Sequence, residues 1–315
     1  MTAPRNRKAR LFVARTLSID PRPLLGPDID VEVWEGELPP PRAELLARAA
    51  QADAMVTLLT EKVDAQLLAQ APALKVVANH AVGVDNVDVR ACTARGVWVT
   101  NTPDAVTEST ADLTWALILA VARRVGEGER LVRSGRFRAW APTLLLGLEL
   151  RGATLGIVGL GRIGEAVARR ARGFGMHVVH STQRGGLALE ELLAQSDVVT
   201  LHCPLTAATR HLIDAPRLAQ MKRGALLINT SRGPVVDEAA LVAALEAGHL
   251  GGAGLDVFEN EPAVHAGLIG RDDVVLPPHL GSATHKTRAR MATMALTDAA
   301  RVLRGQRPLH PVNDL

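Results

Sequence analysis

The chain has 315 residues, more than one hydrophobic core usually organises, so two domains are expected. Its 36 Lys and Arg stand against 33 Asp and Glu, a formal charge of +3 with the basic residues scattered, which argues against a nucleic-acid surface; Arg5-Asn6-Arg7-Lys8 reads as a solvated chain end. No apolar leader is visible, the longest apolar stretch (Leu113 to Ala122) is too short to span a bilayer, and Cys92 and Cys203 are the only cysteines, so the expectation is a cytoplasmic protein with no membrane partner, no disulfide framework and no metal cluster.

In chain order, short apolar runs at Leu11–Ala14, Val31–Trp34, Ala54–Leu59, Leu74–Ala78 and Val97–Thr100 read as strands. Helical patterns lie between them at Arg42–Gln51, Ala65–Ala71 and Val89–Arg95, an alternation that is flavodoxin-like in its element order. Thr107–Arg124 reads as a long helix that can join two domains. From Thr154 the alternation restarts, with strands at Thr154–Gly159, His177–Ser181, Asp197–Cys203, Ala225–Ser231, Gly252–Val257 and Asp273–Leu276. Helices are expected at Arg162–Phe174, Leu187–Gln195, Ala215–Met221 and Asp237–Ala247, with Asp237 the cap of its helix rather than a catalytic acid. Continuous apolar strands separated by helices predict a parallel sheet covered on both faces. Thr284–Leu303 is a last long helix, returning the chain toward the first domain. The expected architecture is α/β: a Rossmann doubly wound parallel sheet over residues 105–284, inserted in a flavodoxin-like α/β substrate domain formed by residues 1–104 and 285–315.

The most specific motif is Gly159-Leu160-Gly161-Arg162-Ile163-Gly164, a G-x-G-x-x-G between a strand and a helix, the context in which it binds a dinucleotide. Its first glycine permits the tight turn, the second lets a pyrophosphate approach the backbone, and the third lets helix and strand pack closely. The phosphate charge then meets the helix N-terminus. Ligands of such sheets bind beyond the carboxyl ends of the strands. Those ends carry Ser181-Thr182-Gln183-Arg184, His202-Cys203-Pro204, Thr230-Ser231-Arg232-Gly233, Asp256 and Pro277-Pro278-His279, a polar collection facing one crevice. After the second strand an NAD enzyme usually places an acid for the ribose 2′-hydroxyl. Here no acid follows until Glu190, while Ser181, Thr182 and Arg184 offer hydroxyls and a cation to a 2′-phosphate. NADP(H) is therefore the preferred cofactor, with NAD(H) possible; the alternative for Arg184 is a solvated surface side chain.

The chain has no tyrosine, which excludes reductases whose proton donor is a tyrosine, the short-chain and aldo-keto families among them; a carbonyl reductase built on this sequence would use a histidine or lysine. Arg232, at a sharp turn, can bind a carboxylate bidentately or make a surface ion pair. His279 is rigidly mounted behind two prolines and can deliver a proton or simply pack; His80 and His202 also end strands, and composition alone does not rank the three. Glu259 or Glu261 can orient an imidazole and favour its charged form. Val82-Gly83 can present backbone N–H groups to an anion or be a plain turn.

Taken together these residues resemble the D-isomer-specific 2-hydroxyacid dehydrogenase family over essentially the whole chain. The matching segments are Asn79-His80-Ala81-Val82-Gly83-Val84-Asp85-Asn86 (substrate loop), Thr100-Asn101-Thr102-Pro103 (domain crossover), Asn229–Gly233 (arginine motif), Gly254–Pro262 (glutamate motif) and Pro278–Thr284 (histidine motif). Within the family the likeness is to glyoxylate/hydroxypyruvate reductases, carried by Gly281–Arg288 and by Trp140-Ala141-Pro142 followed by Leu146-Gly147. The resemblance implies reduction of a short 2-oxo acid by hydride transfer, with Arg232, Glu261 and His279 catalytic, and Val82, Gly83, Arg232, Ser282 and Trp140 binding substrate. Trp140 would reach into the active site of a partner subunit, implying a homodimer. Cofactor contacts are implied for Thr107, Gly159, Gly161, Arg162, Ile163, Gly164, Ser181, Thr182, Arg184, Cys203, Pro204, Thr230, Ser231, Asp256, His279 and Gly281, Asp256 holding the nicotinamide side. No metal is implied. The loop after Arg184 is several residues shorter than usual in the family. Alternatives are a dehydrogenase of 2-ketogluconate, phosphoglycerate or another 2-hydroxy acid, and a dinucleotide-sensing co-repressor on the same fold.

Overall fold

The computed structural model describes residues 7–183 and 185–315, which form two compact units: residues up to Val106 together with Ala283–Leu315, and Thr107–Ser282. In chain order the first unit contains β1 (Ala9–Val13), α1 (Arg22–Leu25), β2 (Ile29–Val33), α2 (Arg42–Ala49), β3 (Ala54–Thr57), α3 (Ala65–Gln70), β4 (Val76–Asn79), α4 (Val89–Ala94) and β5 (Trp98–Thr100). The second contains α5 (Thr107–Ala122), α6 (Val125–Arg133), β6 (Thr154–Val158), α7 (Arg162–Ala171), β7 (His177–Thr182), β8 (Gly185–Gly186), α8 (Leu189–Gln195), β9 (Val198–Leu201), α9 (Ala215–Gln220), β10 (Leu226–Asn229), α10 (Glu238–Glu246), β11 (Gly252–Leu255) and β12 (Val274–Val275). The final helix, α11 (His285–Leu303), belongs to the first unit.

The first unit's sheet has the strand order β2-β1-β3-β4-β5, all parallel, which is the flavodoxin-like order. Alternation along the strands divides its core in two. Phe12, Met55, Val77 and Val99 pack with Leu45, Leu67, Leu68 and Cys92 on the face of α2 to α4. Leu11, Val13, Val56, Val76 and Ala78 pack with Ala295, Leu296 and Ala299 of α11 on the other. A sheet buried on both faces has no room for polar alternation, which is why these strands read as continuous apolar runs.

The second unit's sheet runs β12-β11-β10-β9-β6-β7-β8. The chain steps from β6 outward to β7 and then crosses back to β9 on the other side of β6, so the topological switch point lies between β6 and β9. Leu155, Ile157, Val198, Leu226 and Ile228 pack under α5 and α7; Val199, Leu201, Leu227 and Leu255 pack under α8, α9 and α10. Trp115 of α5 closes the first of these layers, stacking on Phe174 with ring centroids 4.3 Å apart and donating its indole N–H to the Val167 carbonyl at 3.1 Å.

Three local expectations are corrected. The sheet is not parallel throughout, because β8 pairs antiparallel with the end of β7, Thr182 opposite Gly185. Both glycines of β8 have positive φ, and the strand closes the shortened loop as a tight hairpin. The helix expected over Thr107–Arg124 stops at Ala122, because Arg124 adopts a left-handed φ of 52°, and a separate helix α6 follows. The helix expected to reach Phe174 ends at Ala171, tightening into a 3₁₀ turn before Gly175.

Candidate active site

The glycine turn sits at the switch point of the second unit. Gly159 has φ of 95°, and a Cβ there would lie 2.7 Å from the Cys203 nitrogen and 2.8 Å from the His202 carbonyl carbon, so the turn is pressed against the end of β9. A Cβ at Gly164 would overlap the Gly159 carbonyl; this is the close approach of α7 to β6. Nothing lies within 4 Å of where a Cβ of Gly161 would be, so this side of the turn stands open. Helix α7 starts at Gly161 without a side-chain cap, leaving its first-turn N–H groups, those of Arg162, Ile163 and Gly164, to an incoming anion. The donor set and the open side suit a dinucleotide pyrophosphate.

The other expected cofactor residues ring this turn with differing freedom. Ser181 accepts the Gly159 amide through its carbonyl at 2.9 Å. The Thr182 hydroxyl donates to the Gly185 carbonyl at 2.8 Å, a bond internal to the hairpin. The Thr230 hydroxyl pairs with that of Thr114 at 2.9 Å and is buried, and Ser231 donates its amide and hydroxyl to Asn229 Oδ1 at 3.0 and 2.8 Å. These threonine and serine side chains build the turns on which cofactor-facing backbone is mounted. Cys203 is buried, and burial pushes its thiol up to about 11. Pro204 follows it, its carbonyl accepting the Thr209 hydroxyl at 2.6 Å. Thr107 is the first residue of α5. Arg184 lies outside the described residues.

His279 and Glu261 meet in the same unit. His279 Nδ1 is 3.0 Å from Glu261 Oε2, with the two side chains 32% and 36% exposed. The second oxygen of Glu261, Oε1, accepts the Phe258 amide at 3.0 Å, which fixes the carboxylate's direction. Burial alone would raise the Glu261 carboxyl, but the His279 bond and charge, the Phe258 amide and the Arg232 charge together hold it below the usual carboxylate value. The imidazole is fixed through its backbone as well. His279 has φ of 56°, a conformation that side chains other than glycine rarely hold, and its amide donates to the Asp256 carbonyl at 2.9 Å. Asp256 Oδ1 and Oδ2 accept the Leu280 and Gly281 amides at 2.6 and 2.8 Å, and the Gly281 carbonyl accepts the Thr110 hydroxyl at 3.2 Å. Asp256 is thus first a clamp on the imidazole's loop. It is only 1% exposed, and burial raises its carboxyl against the lowering effect of the two amides, so the nicotinamide contact expected of it is left with the remaining lone pairs of a committed carboxylate. With Nδ1 occupied by Glu261, Nε2 is the nitrogen available to an external group.

Arg232 stands one loop away. Its carbonyl accepts Asn229 Nδ2 at 2.9 Å and its Nη1 donates to the Ser231 carbonyl at 2.8 Å. A Cβ at Gly233 would overlap the Phe258 carbonyl, so the arginine and glutamate loops meet backbone to backbone. Glu259, the other carboxylate considered for an imidazole, does orient one, but it is His211: Nε2 to Oε1 is 2.6 Å, with Glu238 accepting the Glu259 amide at 2.7 Å. That pair escaped the sequence reading. Of the competing imidazoles, His202 is pushed down to about 3 and His80 to about 4, both chiefly by burial, so both are neutral near pH 7. Among the described residues no group of three or more His, Cys, Asp or Glu is disposed to hold a metal ion, and no helix is long and apolar enough to cross a membrane.

In the first unit Val82 and Gly83 follow β4. Among the described residues their N–H groups have no partner, while the carbonyls of Ala81, Val82 and Gly83 each accept a hydrogen bond. Trp140 lies in the extended stretch after α6 and is 79% exposed, accompanied by the exposed Val125, Val132, Phe137 and Leu146. Ser282 ends the second unit.

Residues 115–281 match the family described as D-isomer specific 2-hydroxyacid dehydrogenase, NAD binding domain. A glyoxylate reductase of Aeropyrum pernix is 47% identical over 98% of this chain and 96% of its own. Among solved structures, a protein of Thermus thermophilus superposes with a TM-score of 0.90 at 48% identity, covering 96% of this chain and 100% of that one. The NADPH-dependent glyoxylate/hydroxypyruvate reductase of Sinorhizobium meliloti, solved with NADP and malonate, gives 0.84 at 35% identity, with 97% of each chain covered. The chain belongs to the D-isomer specific 2-hydroxyacid dehydrogenase family. It is an oxidoreductase with a nicotinamide dinucleotide as cofactor.

Proposed function

We propose that this enzyme reduces a short 2-oxo acid, glyoxylate or hydroxypyruvate, to the corresponding 2-hydroxy acid, with NADPH preferred over NADH. The observation that carries the reading is the His279–Glu261 pair, 3.0 Å apart beyond the carboxyl edge of the sheet that also bears the glycine turn. The names of the relatives at 44–47% identity over nearly the whole chain support the substrate class.

The bound dinucleotide supplies a hydride to the substrate's C2. Glu261 keeps the His279 ring protonated and aimed, and Nε2 delivers its proton to the oxygen at C2 as charge develops there. Arg232 binds the carboxylate and polarises the neighbouring carbonyl. The Val82 and Gly83 amides hold the substrate carboxylate on the first unit, which makes that unit the substrate domain, and Ser282 contributes at the chain's return to it. Gly159, Gly161, Arg162, Ile163 and Gly164 hold the pyrophosphate; Ser181, Thr182 and Arg184 receive the 2′-phosphate; Thr107, Cys203, Pro204, Thr230, Ser231, Asp256, His279 and Gly281 line the nicotinamide half. The exposed apolar stretch around Trp140 supports a homodimer in which that ring enters the partner's active site. Residence in the cytoplasm is part of the same proposal.

The test is a panel of glyoxylate, hydroxypyruvate and 2-ketogluconate with each reduced cofactor, run on the wild type and on His279→Ala. Turnover should be highest for the two short acids with NADPH, and the variant should lose at least about 100-fold in kcat while still binding NADPH. Wild-type kinetics favouring 2-ketogluconate would move the substrate assignment. A variant that keeps its kcat would end the acid role of His279.

A further inference from the structure

The loop Ala81-Val82-Gly83 is held entirely by its carbonyls. That of Ala81 accepts the Thr102 amide at 2.9 Å, that of Val82 accepts Asn101 Nδ2 at 2.7 Å, and that of Gly83 accepts Asn79 Nδ2 at 2.9 Å. In a trans peptide the C=O of one residue and the N–H of the next point in opposite directions. Drawing the Ala81 carbonyl toward the end of β5 therefore turns the Val82 N–H outward, and drawing in the Val82 carbonyl turns the Gly83 N–H outward. The aim of each amide is set by the donor on the far side of its own peptide plane. His80 next to this loop is 6% exposed and neutral, so attraction for an anion here rests on those amides rather than on an imidazolium.

The donors differ in what else they do. Asn79 is fully buried in a network with Thr57 and Asn86, and its loss would reach the core. Thr102 acts through its backbone. Asn101 is only half-buried, and Val82 is the partner its side chain serves. Its backbone is held independently by the C-terminal tail. The Asn101 amide donates to the His310 carbonyl at 3.3 Å, the Val312 amide to the Val99 carbonyl at 2.7 Å, and the Val99 amide to Asn313 Oδ1 at 2.8 Å.

We propose that Asn101 is a positioning residue for the substrate: by holding the Val82 carbonyl it fixes the direction of the Gly83 N–H and so sets the affinity for the 2-oxo acid's carboxylate. This rests on the reading of Val82 and Gly83 as the carboxylate-holding pair. It separates two properties, because a donor that acts on one substrate amide alters carboxylate binding without touching the dinucleotide turn or the His279–Glu261 pair.

The test compares wild type with Asn101→Ala and Asn101→Asp, the second keeping the side chain's size while removing its donor. KM for glyoxylate and Ki for oxalate should rise together by about tenfold, the worth of one neutral hydrogen bond. The Kd for NADPH, kcat at saturation and Tm should stay close to wild type. If KM and Ki do not move in either variant, or if NADPH affinity, kcat and Tm fall with them, Asn101 is structural and the inference is overturned. Absence of glyoxylate turnover in the wild type would instead overturn the proposed function, so the two failures are distinguishable.

Discussion

Replacing Glu261 with Gln removes one charge and almost no volume. At 3.0 Å from His279 Nδ1, a unit charge pair has a gross attraction of about 1.4 kcal/mol in bulk water and about 5.5 kcal/mol at an effective dielectric of 20. Both side chains are about one-third exposed, so water screens them and the lower part of that range applies, about 1.5–2 kcal/mol. If this energy favours the protonated ring before transfer, kcat should fall by about 10–30-fold. Stopped-flow reduction at saturating substrate measures it. Losing a carboxylate that favours the protonated ring should also move the alkaline limb of the kcat profile to lower pH. The acid side follows from the native carboxyl's lowered value. A depressed carboxylate contributes its stabilisation above its unfolded pKa of about 4.3 and loses it only as pH falls through the lower folded value. The wild-type pair should therefore persist to the lower edge of the carboxylate range. A Glu261→Gln enzyme with kcat within twofold of wild type and an unmoved alkaline limb would refute the argument, leaving Glu261 as an anchor of the Phe258 turn.

The two inner glycines of the turn should separate folding from binding. Gly161→Ala meets open space and should keep its Tm while weakening NADPH, by fluorescence titration, because the methyl occupies the side open to the pyrophosphate. Gly164→Ala drives a methyl into the Gly159 carbonyl and should cost about 1–3 kcal/mol of stability in urea. Arg184→Ala should raise the Kd for NADPH more than that for NADH; equal changes would remove it from 2′-phosphate recognition. Trp140→Ala should alter the glyoxylate to hydroxypyruvate preference or the oligomeric state in sedimentation, and a variant unchanged in both would end the partner-subunit reading.

The glycine turn was legible because everything that defines it is local: a strand, a turn and a helix within about twenty residues. The apolar runs that became β1, β3, β4, β9 and β10 were legible for a related reason, since strands buried on both faces leave no polar alternation to misread. The site is different. From residue types alone Glu259 and Glu261 were equivalent, and so were His80, His202 and His279. What distinguishes the glutamates is the path of one loop, in which the Phe258 amide bonds Glu261 while Glu259 turns under to Glu238 and His211. What distinguishes the histidines is burial, which neutralises two of them and is a property of the finished fold. The hairpin at β8 had a signal that went unused, since Gly185-Gly186 is turn chemistry. Helix α6 had almost none, because Gly126 and Gly128 lower the propensity of a segment that nonetheless forms.

The catalytic geometry of the second unit is built by backbone meeting backbone more than by side chains meeting each other. The loops after β10, β11 and β12 carry Arg232, Glu261 and His279. Gly233 lies on the Phe258 carbonyl with no space for a Cβ, and Asp256 binds two successive amides just beyond the imidazole. Because φ at Gly233 is not positive, the demand there is for space and not for conformational freedom, so even alanine would push the arginine loop off the glutamate loop. His279 adds the complementary case. A left-handed histidine costs on the order of 1 kcal/mol and persists only where its surroundings over-determine it. Here its own amide, the next two amides and its ring nitrogen are all bound by Asp256 and Glu261. Two acids four to six residues from β10's neighbouring loop thus do what a single catalytic carboxylate could not: one fixes where the ring stands, the other fixes which nitrogen it presents.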